Sequence, residues 1–246
     1  MKERIDKLLV QGRFAESRTK AQAMVMAGVV LIDEKRVEKP SELFATDAAI
    51  RIKGDSPENK YVSRAGLKLE GALASFAIDP SGFTCIDIGA STGGFTDCLL
   101  KYGAARIIAI DVGTNQLVWQ LRTDPRIDVR ENTNARSLNP KDFDTQFDLA
   151  VMDVSFISVT KILPAIKPLL KPTGQIIVLI KPQFEVGRGE VGKGGIVRET
   201  EKHLRVVDEV NDFAAGIGLF NKGLIESPIQ GAEGNVEFLA LYEQQQ

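Results

Sequence analysis

The sequence predicts an α/β protein, a doubly wound, mostly parallel sheet preceded by a small α+β unit. Three observations carry this expectation. From Tyr61 onward, short apolar strand candidates alternate with helical stretches, and the strands are apolar at successive positions, as in a sheet covered on both faces. The 246 residues, at roughly 150 per domain, leave room for one domain of ordinary size and one small one. Residues 54–60, Gly-Asp-Ser-Pro-Glu-Asn-Lys, are polar, contain Gly and Pro, and read as a linker. This puts residues 1–57 in the small domain and 58–246 in the large one.

In the small domain, Ile5, Leu8 and Leu9 are spaced i, i+3, i+4, and Ala21, Met24 and Val25 repeat the spacing, which predicts two short amphipathic helices. Ser17 is the expected N-cap of the second and Gly28 its stop. Val29-Val30-Leu31-Ile32 then reads as a strand running into a turn at Asp33-Glu34-Lys35, with Ala49–Ile52 as a returning strand.

In the large domain the expected strands are Thr84–Ile88, Arg106–Asp111, Ile127–Val129, Phe147–Asp153, Gln175–Ile180, one near Leu224, and Phe238–Tyr242. Helices are expected over Phe95–Tyr102, Ile162–Leu169 and about Thr200–Gly216, with Lys68 in a helix before the first strand. In such sheets ligands bind beyond the carboxyl ends of the strands.

Composition excludes several classes. Hydrophobic residues at 43% and charged ones at 26% suit a globular chain. The longest apolar run, Ile176-Ile177-Val178-Leu179-Ile180, is far short of the roughly 20 residues of a membrane-spanning helix. The acid-containing start Met1-Lys2-Glu3-Arg4-Ile5-Asp6 does not read as a signal peptide, so a cytoplasmic protein without a membrane partner is expected. Cys85 and Cys98, with His203 as the single histidine, make no zinc ligand set. Both cysteines read as reduced core thiols, and no metal is expected. Trp119, the single tryptophan, reads as a packing residue and His203 as a helix-surface one.

The formal net charge of −2 hides a split. Up to Arg36 there are eight Lys or Arg against five Asp or Glu, a net +3, so the remainder carries −5. Ser17, Arg18 and Lys20 at a helix start could present cations and amide N–H groups to a phosphate, or could form a solvated helix face.

Two glycine-rich stretches stand out. The first strand runs into Asp87-Ile-Gly89-Ala-Ser91-Thr-Gly93-Gly94-Phe95, where glycines permit a tight turn and close approach of a ligand to the backbone. Asp111, after the second strand, stands where an acid accepts hydrogen bonds from ribose hydroxyls. The order G-x-x-x-G-G departs from the dinucleotide pattern G-x-G-x-x-G. The other stretch, Gly187 to Gly194, almost spells a triphosphate loop but has Gly194 where a hydroxyl must bind Mg²⁺. It reads as a lid beside the site.

Lys68, Asp153, Lys181 and Glu237 fall where a doubly wound sheet would gather them. Each alone could be an ordinary surface or strand-end charge. Together they suit methyl transfer to a hydroxyl, a poor nucleophile that needs a base, which a lysine becomes only through burial or a neighbouring cation. Asn134, after the third strand, suits either a turn or the edge of an adenine.

Several of these stretches resemble known families. Arg4-Ile-Asp-Lys-Leu-Leu9, Ser17-Arg-Thr-Lys-Ala21 and Ala27-Gly-Val-Val-Leu-Ile-Asp33 resemble the small RNA-binding domain named after ribosomal protein S-four. That resemblance implies RNA contact through Arg4, Arg18 and Lys20. The spacing D-x-G-x-x-x-G-G is similar to the S-adenosylmethionine loop of class I methyltransferases, implying a Rossmann-like sheet with that cofactor held by Asp87, Gly89, Ser91, Gly93, Gly94, Asp111 and Asn134. Ser63-Arg-Ala-Gly-Leu-Lys68-Leu69, Asp87 to Asp97, Asp153-Val-Ser-Phe-Ile157 and Lys181-Pro-Gln-Phe-Glu185 resemble the TlyA family, whose catalytic domain is similar to FtsJ-type ribose methyltransferases. The resemblance covers essentially the whole chain. It implies a catalytic tetrad of Lys68, Asp153, Lys181 and Glu237 with Lys181 as base, ribosomal RNA or a ribosomal subunit as partner, and a 2′-O-methylcytidine product. Family members are often labelled haemolysins, a label the absent membrane segment does not support. Two rival expectations stand beside this one: a ribosome-assembly RNA binder with little turnover, and a base-directed RNA methyltransferase, since Asp153-Val-Ser-Phe156 loosely resembles the D-P-P-[YF] motif of amino-directed enzymes.

Overall fold

The computed structural model describes residues 2–12, 14, 15, 17–52, 60–187, 189–231 and 234–244. All but Lys60 of the expected linker, and the expected 57/58 boundary, lie outside these residues. The chain forms two compact units, Met1–Lys60 and Tyr61–Gln246.

In the first unit β1 (Lys2–Arg4) leads into α1 (Ile5–Gln11), α2 (Arg18–Met26), β2 (Val30–Ile32), β3 (Lys35–Arg36), β4 (Leu43–Ala45) and β5 (Ile50–Ile52). The Ser17 hydroxyl accepts the Lys20 N–H at 3.3 Å, the expected cap. Gly28, at φ +71°, turns the chain out of α2. Asp33 and Glu34 both take positive φ, which makes the two-residue turn whose twist suits a tight hairpin from β2 to β3. β2 also pairs with β5, the expected returning strand, in the sheet order β3-β2-β5. Ile5, Leu8, Leu9, Ala21 and Val25 from the two helices pack with Val30, Ile32 and Ile52.

The second unit contains α3 (Ala65–Ser75), β6 (Thr84–Ile88), α4 (Gly94–Lys101), β7 (Arg106–Ile110), α5 (Trp119–Arg122), β8 (Ile127–Arg130), β9 (Phe147–Met152), α6 (Leu163–Ile166), β10 (Leu170–Ile180), α7 (Pro182–Glu185), α8 (Thr200–Gly216), β11 (Leu219–Glu226) and β12 (Phe238–Gln244). Its seven-stranded sheet runs β11-β12-β10-β9-β6-β7-β8. Neighbours from β8 to β10 are parallel, and β12 is antiparallel to both β10 and β11. The chain leaves β6 toward β7 and β8, then returns to β9 on the other side of β6. The order therefore reverses between β6 and β9, and a crevice opens beyond their carboxyl ends.

Alternation along the strands sends Ile86 and Ile88 to one buried face and Cys85 to the other. Asp87 shares the Cys85 side, on which Cys98 and Leu99 of α4 pack. Over 162–169 the expected helix is broken into α6 and a 3₁₀ turn at Lys167–Leu169, with Pro164 and Pro168 removing backbone donors. β10 begins at Leu170, earlier than the apolar run suggests, with an irregular register against β9 between Leu170 and Gln175. Two single-residue expectations exchange places. Trp119 opens α5 at 75% exposure, and His203 is buried on α8 with Nε2 2.8 Å from the Val197 carbonyl oxygen.

Candidate active site

Gly89 follows β6 at φ +84°, and Asp153 follows β9 directly. A side chain at Gly89 would place its Cβ 2.4 Å from the Asp153 carbonyl oxygen, so the two strand ends approach this closely only with glycine there. Gly93 caps α4 in the left-handed region, with Leu121 filling the place of a Cβ.

A cavity of about 520 Å³ lies over these strand ends, within the usual range for small-molecule sites. Ile88, Ile110, Ile157 and Ile162 supply apolar wall, and Gly89, Ser91, Asp111 and Asn134 line it too. A smaller cavity of about 180 Å³ is lined by Ser63, Gly94 and Lys181. Both are lined by Gly89, Ser91, Asp153 and Ser155, which sets the lysine beside the larger space.

Of the expected cofactor residues, Asp87 and Gly93 line neither cavity. Asp111 accepts the Ser91 and Gly113 N–H groups at 2.7 Å each, and a carboxylate retains lone pairs beyond these two bonds. The Asn134 side chain caps a short turn by accepting the Arg136 N–H at 3.1 Å, while the residue also lines the larger cavity. Asp87 is fully buried beneath the glycine loop. Its Oδ2 accepts the Thr96 hydroxyl at 2.6 Å, and its Oδ1 has no partner among the described residues. Burial pushes the Asp87 carboxyl up to about 7, against the pull of Thr96, with the Asp153 and Asp111 charges adding to the rise.

The four residues of the expected tetrad form two ion pairs. Lys181 Nζ lies 2.5 Å from Asp153 Oδ1 and donates to Ser155 Oγ at 3.0 Å. Lys68, on α3, pairs with Glu237, the residue before β12. Both lysines and Glu237 are buried. Gln183 joins the pairs, for it stands two residues after Lys181 and donates to Glu237 Oε1 at 3.3 Å. A Cβ at Gly231 would sit 2.1 Å from Glu237 Oε1, so Gly231 makes the space for that carboxylate. Ser155, Gln183 and Gly231 have no role that the sequence suggests, since an unremarkable residue type gains meaning here only from its neighbour in space. Phe156 stands at the aromatic position of the Asp153-Val-Ser-Phe156 stretch. It is 90% exposed at φ +64°, lines the larger cavity and packs on Phe184 with ring centroids 5.0 Å apart.

In the first unit the expected RNA-contact residues Arg4 and Arg18 meet at one carboxylate. Asp6 is fully buried and accepts from Arg4 Nε and Nη2 at 3.1 and 2.9 Å, from Arg18 Nη2 at 2.9 Å and from Gln22 at 3.0 Å. The Arg4 guanidinium first, with Gln22 and Arg18, holds the Asp6 carboxyl well below the usual carboxylate range. Lys20 lines an open apolar groove with Phe14 and Met24.

The residues fit an adenosine-bearing cation. Asp111 has lone pairs for ribose hydroxyls, isoleucines line the larger space, and Gly89 admits close approach. Among the described residues no cluster of metal ligands occurs, and no helix is long and apolar enough to cross a membrane.

A family model described as FtsJ-like methyltransferase matches residues 61–243, and an S4 domain model matches residues 3–48. The chain is 45% identical to the 16S/23S rRNA (cytidine-2′-O)-methyltransferase TlyA of Mycobacterium tuberculosis, over 96% of this chain and 87% of that one. It is 42% identical to Hemolysin A of Brachyspira hyodysenteriae, over 96% and 98%. A solved structure of a hemolysin candidate from Streptococcus thermophilus superposes with a TM-score of 0.75 at 47% identity, covering 99% of this chain and 89% of that one.

Proposed function

Because the chain belongs to the FtsJ-like methyltransferase family, we propose that it methylates the ribose 2′-hydroxyl of a cytidine in ribosomal RNA, with S-adenosylmethionine as donor. The observation that carries this reading is the placement of Lys181 Nζ between Asp153 and Ser155, at the wall shared by the two cavities.

S-adenosylmethionine supplies an electrophilic methyl group on a sulfonium sulfur. Asp111 and the isoleucine walls are the residues that would hold its adenosine, with Asn134 at the same cavity. A hydroxyl oxygen becomes an effective nucleophile only as its proton leaves, and the chain must accept that proton. Lys181 Nζ takes it from the 2′-oxygen once the ammonium that pairs with Asp153 has released a proton to solvent. Asp153 then lies against the resulting ammonium, and Ser155 Oγ fixes its direction. Lys68 and Glu237 form the second charged pair, to which Gln183, two residues past Lys181, donates a hydrogen bond. Burial of these groups excludes water that would weaken their interactions. The domain at residues 3–48 supplies RNA binding, with Arg4, Arg18 and Lys20 as its cations for backbone phosphate.

The reading is tested by transfer of labelled methyl to ribosomal subunits. Lys181→Ala is expected to lower the rate by about 10²–10⁴-fold, the usual contribution of a positioned base. Lys181→Arg is expected to fail similarly, because a guanidinium does not give up its proton in this pH range. Transfer by Lys181→Ala at the parent's rate overturns Lys181 as base.

A further inference from the structure

The segments Asp153–Val159 and Lys181–Glu185 are joined at three levels. Lys181 reaches Asp153 and Ser155, the Phe184 ring meets Phe156, and the Val159 N–H donates to Glu185 Oε1 at 2.9 Å. The first contact belongs to the proposed chemistry and the second lies at the mouth of the larger cavity. The third touches neither cavity. Glu185 sits at the end of α7, four residues past Lys181, in a place where burial raises its carboxyl above the ordinary range while the Ser158 hydroxyl and Val159 amide oppose that rise. Keeping a carboxylate there is costly unless its hydrogen bonds are used.

The loop between these contacts is held at its two ends. The Asp153 N–H donates to the Ile88 carbonyl at 3.0 Å, and Val159, the first residue of a 3₁₀ turn, donates to Glu185. Between them Phe156 takes a left-handed φ of +64°, a conformation that a bulky residue keeps only when its surroundings impose it. We propose that Glu185 is a positioning residue for methyl transfer: it locks the far end of the Asp153–Val159 loop to the helix that follows Lys181, and so fixes Asp153, Ser155 and Phe156 relative to the Lys181 amine. This inference rests on the reading of Lys181 as base.

The test compares full-length variants in labelled methyl transfer, with thermal unfolding as a check of folding. Glu185→Ala removes the lock and is expected to lower kcat about 10- to 100-fold, as small displacements of catalytic groups do. Glu185→Gln keeps an acceptor oxygen for the Val159 N–H and is expected within about threefold of the parent. Val159→Pro removes the donor instead, and because the Val159 side chain is buried in the core its kcat is read only where thermal unfolding matches that of Glu185→Ala. It is expected to match Glu185→Ala, and the double variant to lose no more than either alone. Parental kcat in either Glu185→Ala or Val159→Pro overturns the inference, as does a Glu185→Gln protein as impaired as Glu185→Ala. Should Glu185→Ala unfold, a folded Val159→Pro and Glu185→Gln decide by the same outcomes. An inactive Lys181→Ala beside a fully active Glu185→Ala overturns this inference alone, whereas an active Lys181→Ala overturns the base reading and this inference with it.

Discussion

Asp87 occupies a strand position whose neighbours on the same face are apolar, and the consequences follow from its charge. Its carboxyl titrates at about 7 in the folded chain against an ordinary 3.8, because burial penalises the ion. A folded value above the unfolded one means that the acid favours the fold fully only below the unfolded value. That contribution is lost as the pH rises through about 7. Urea unfolding between pH 4 and 8 is therefore expected to show the unliganded parent losing on the order of a few kcal/mol relative to Asp87→Asn, which has no charge to bury. Parallel stability curves for the two proteins would show that the buried acid carries no such penalty. The acid itself is legible in the sequence beside Gly89, but its isolation is not, since that depends on α4 lying over it.

At the scale of elements, the first unit shows how a charge pattern can mislead. Arg4 and Arg18 look like free cations along the chain, yet β1 and the start of α2 bring both to the buried Asp6. Removing an arginine therefore strips a partner from a buried carboxylate as well as a cation from the surface. Arg4→Ala is expected to destabilise the unit by roughly 1–3 kcal/mol at pH 7. Because the Asp6 carboxyl is lowered in the fold, its pairing supports the unit above the ordinary carboxylate value. That support is lost as the pH falls through the lowered value, so the gap between parent and Arg4→Ala should narrow in acid. Chemical denaturation at pH 7 and pH 3 checks this, and an equal gap at both pH values would contradict it. The helices were legible here from the i, i+3, i+4 spacing and the Ser17 cap. The pairing of β1 with β4 was not, because strands of three residues carry no periodicity to read.

At the scale of the whole molecule, strand-helix alternation was enough to predict the doubly wound class and to place Asp153, Lys181 and Glu237 at strand ends, with Lys68 on the helix before the first strand. The sequence did not reveal that the four residues form two pairs, nor that Gln183 donates to Glu237, because Lys68 lies 169 residues and Gln183 54 residues from Glu237 along the chain. Under the proposed function these pairs serve a hydroxyl acceptor. A ring nitrogen or an exocyclic amine places different demands on a site, and an RNA binder with little turnover demands no base. The most direct test is to incubate the protein with labelled S-adenosylmethionine and ribosomal subunits, digest the RNA to nucleosides and identify the one that carries label. Label is expected in 2′-O-methylcytidine and is expected to be absent when Lys181→Ala replaces the parent. Label on a nucleobase, or tight RNA binding with no incorporation into any ribosomal particle, would contradict it.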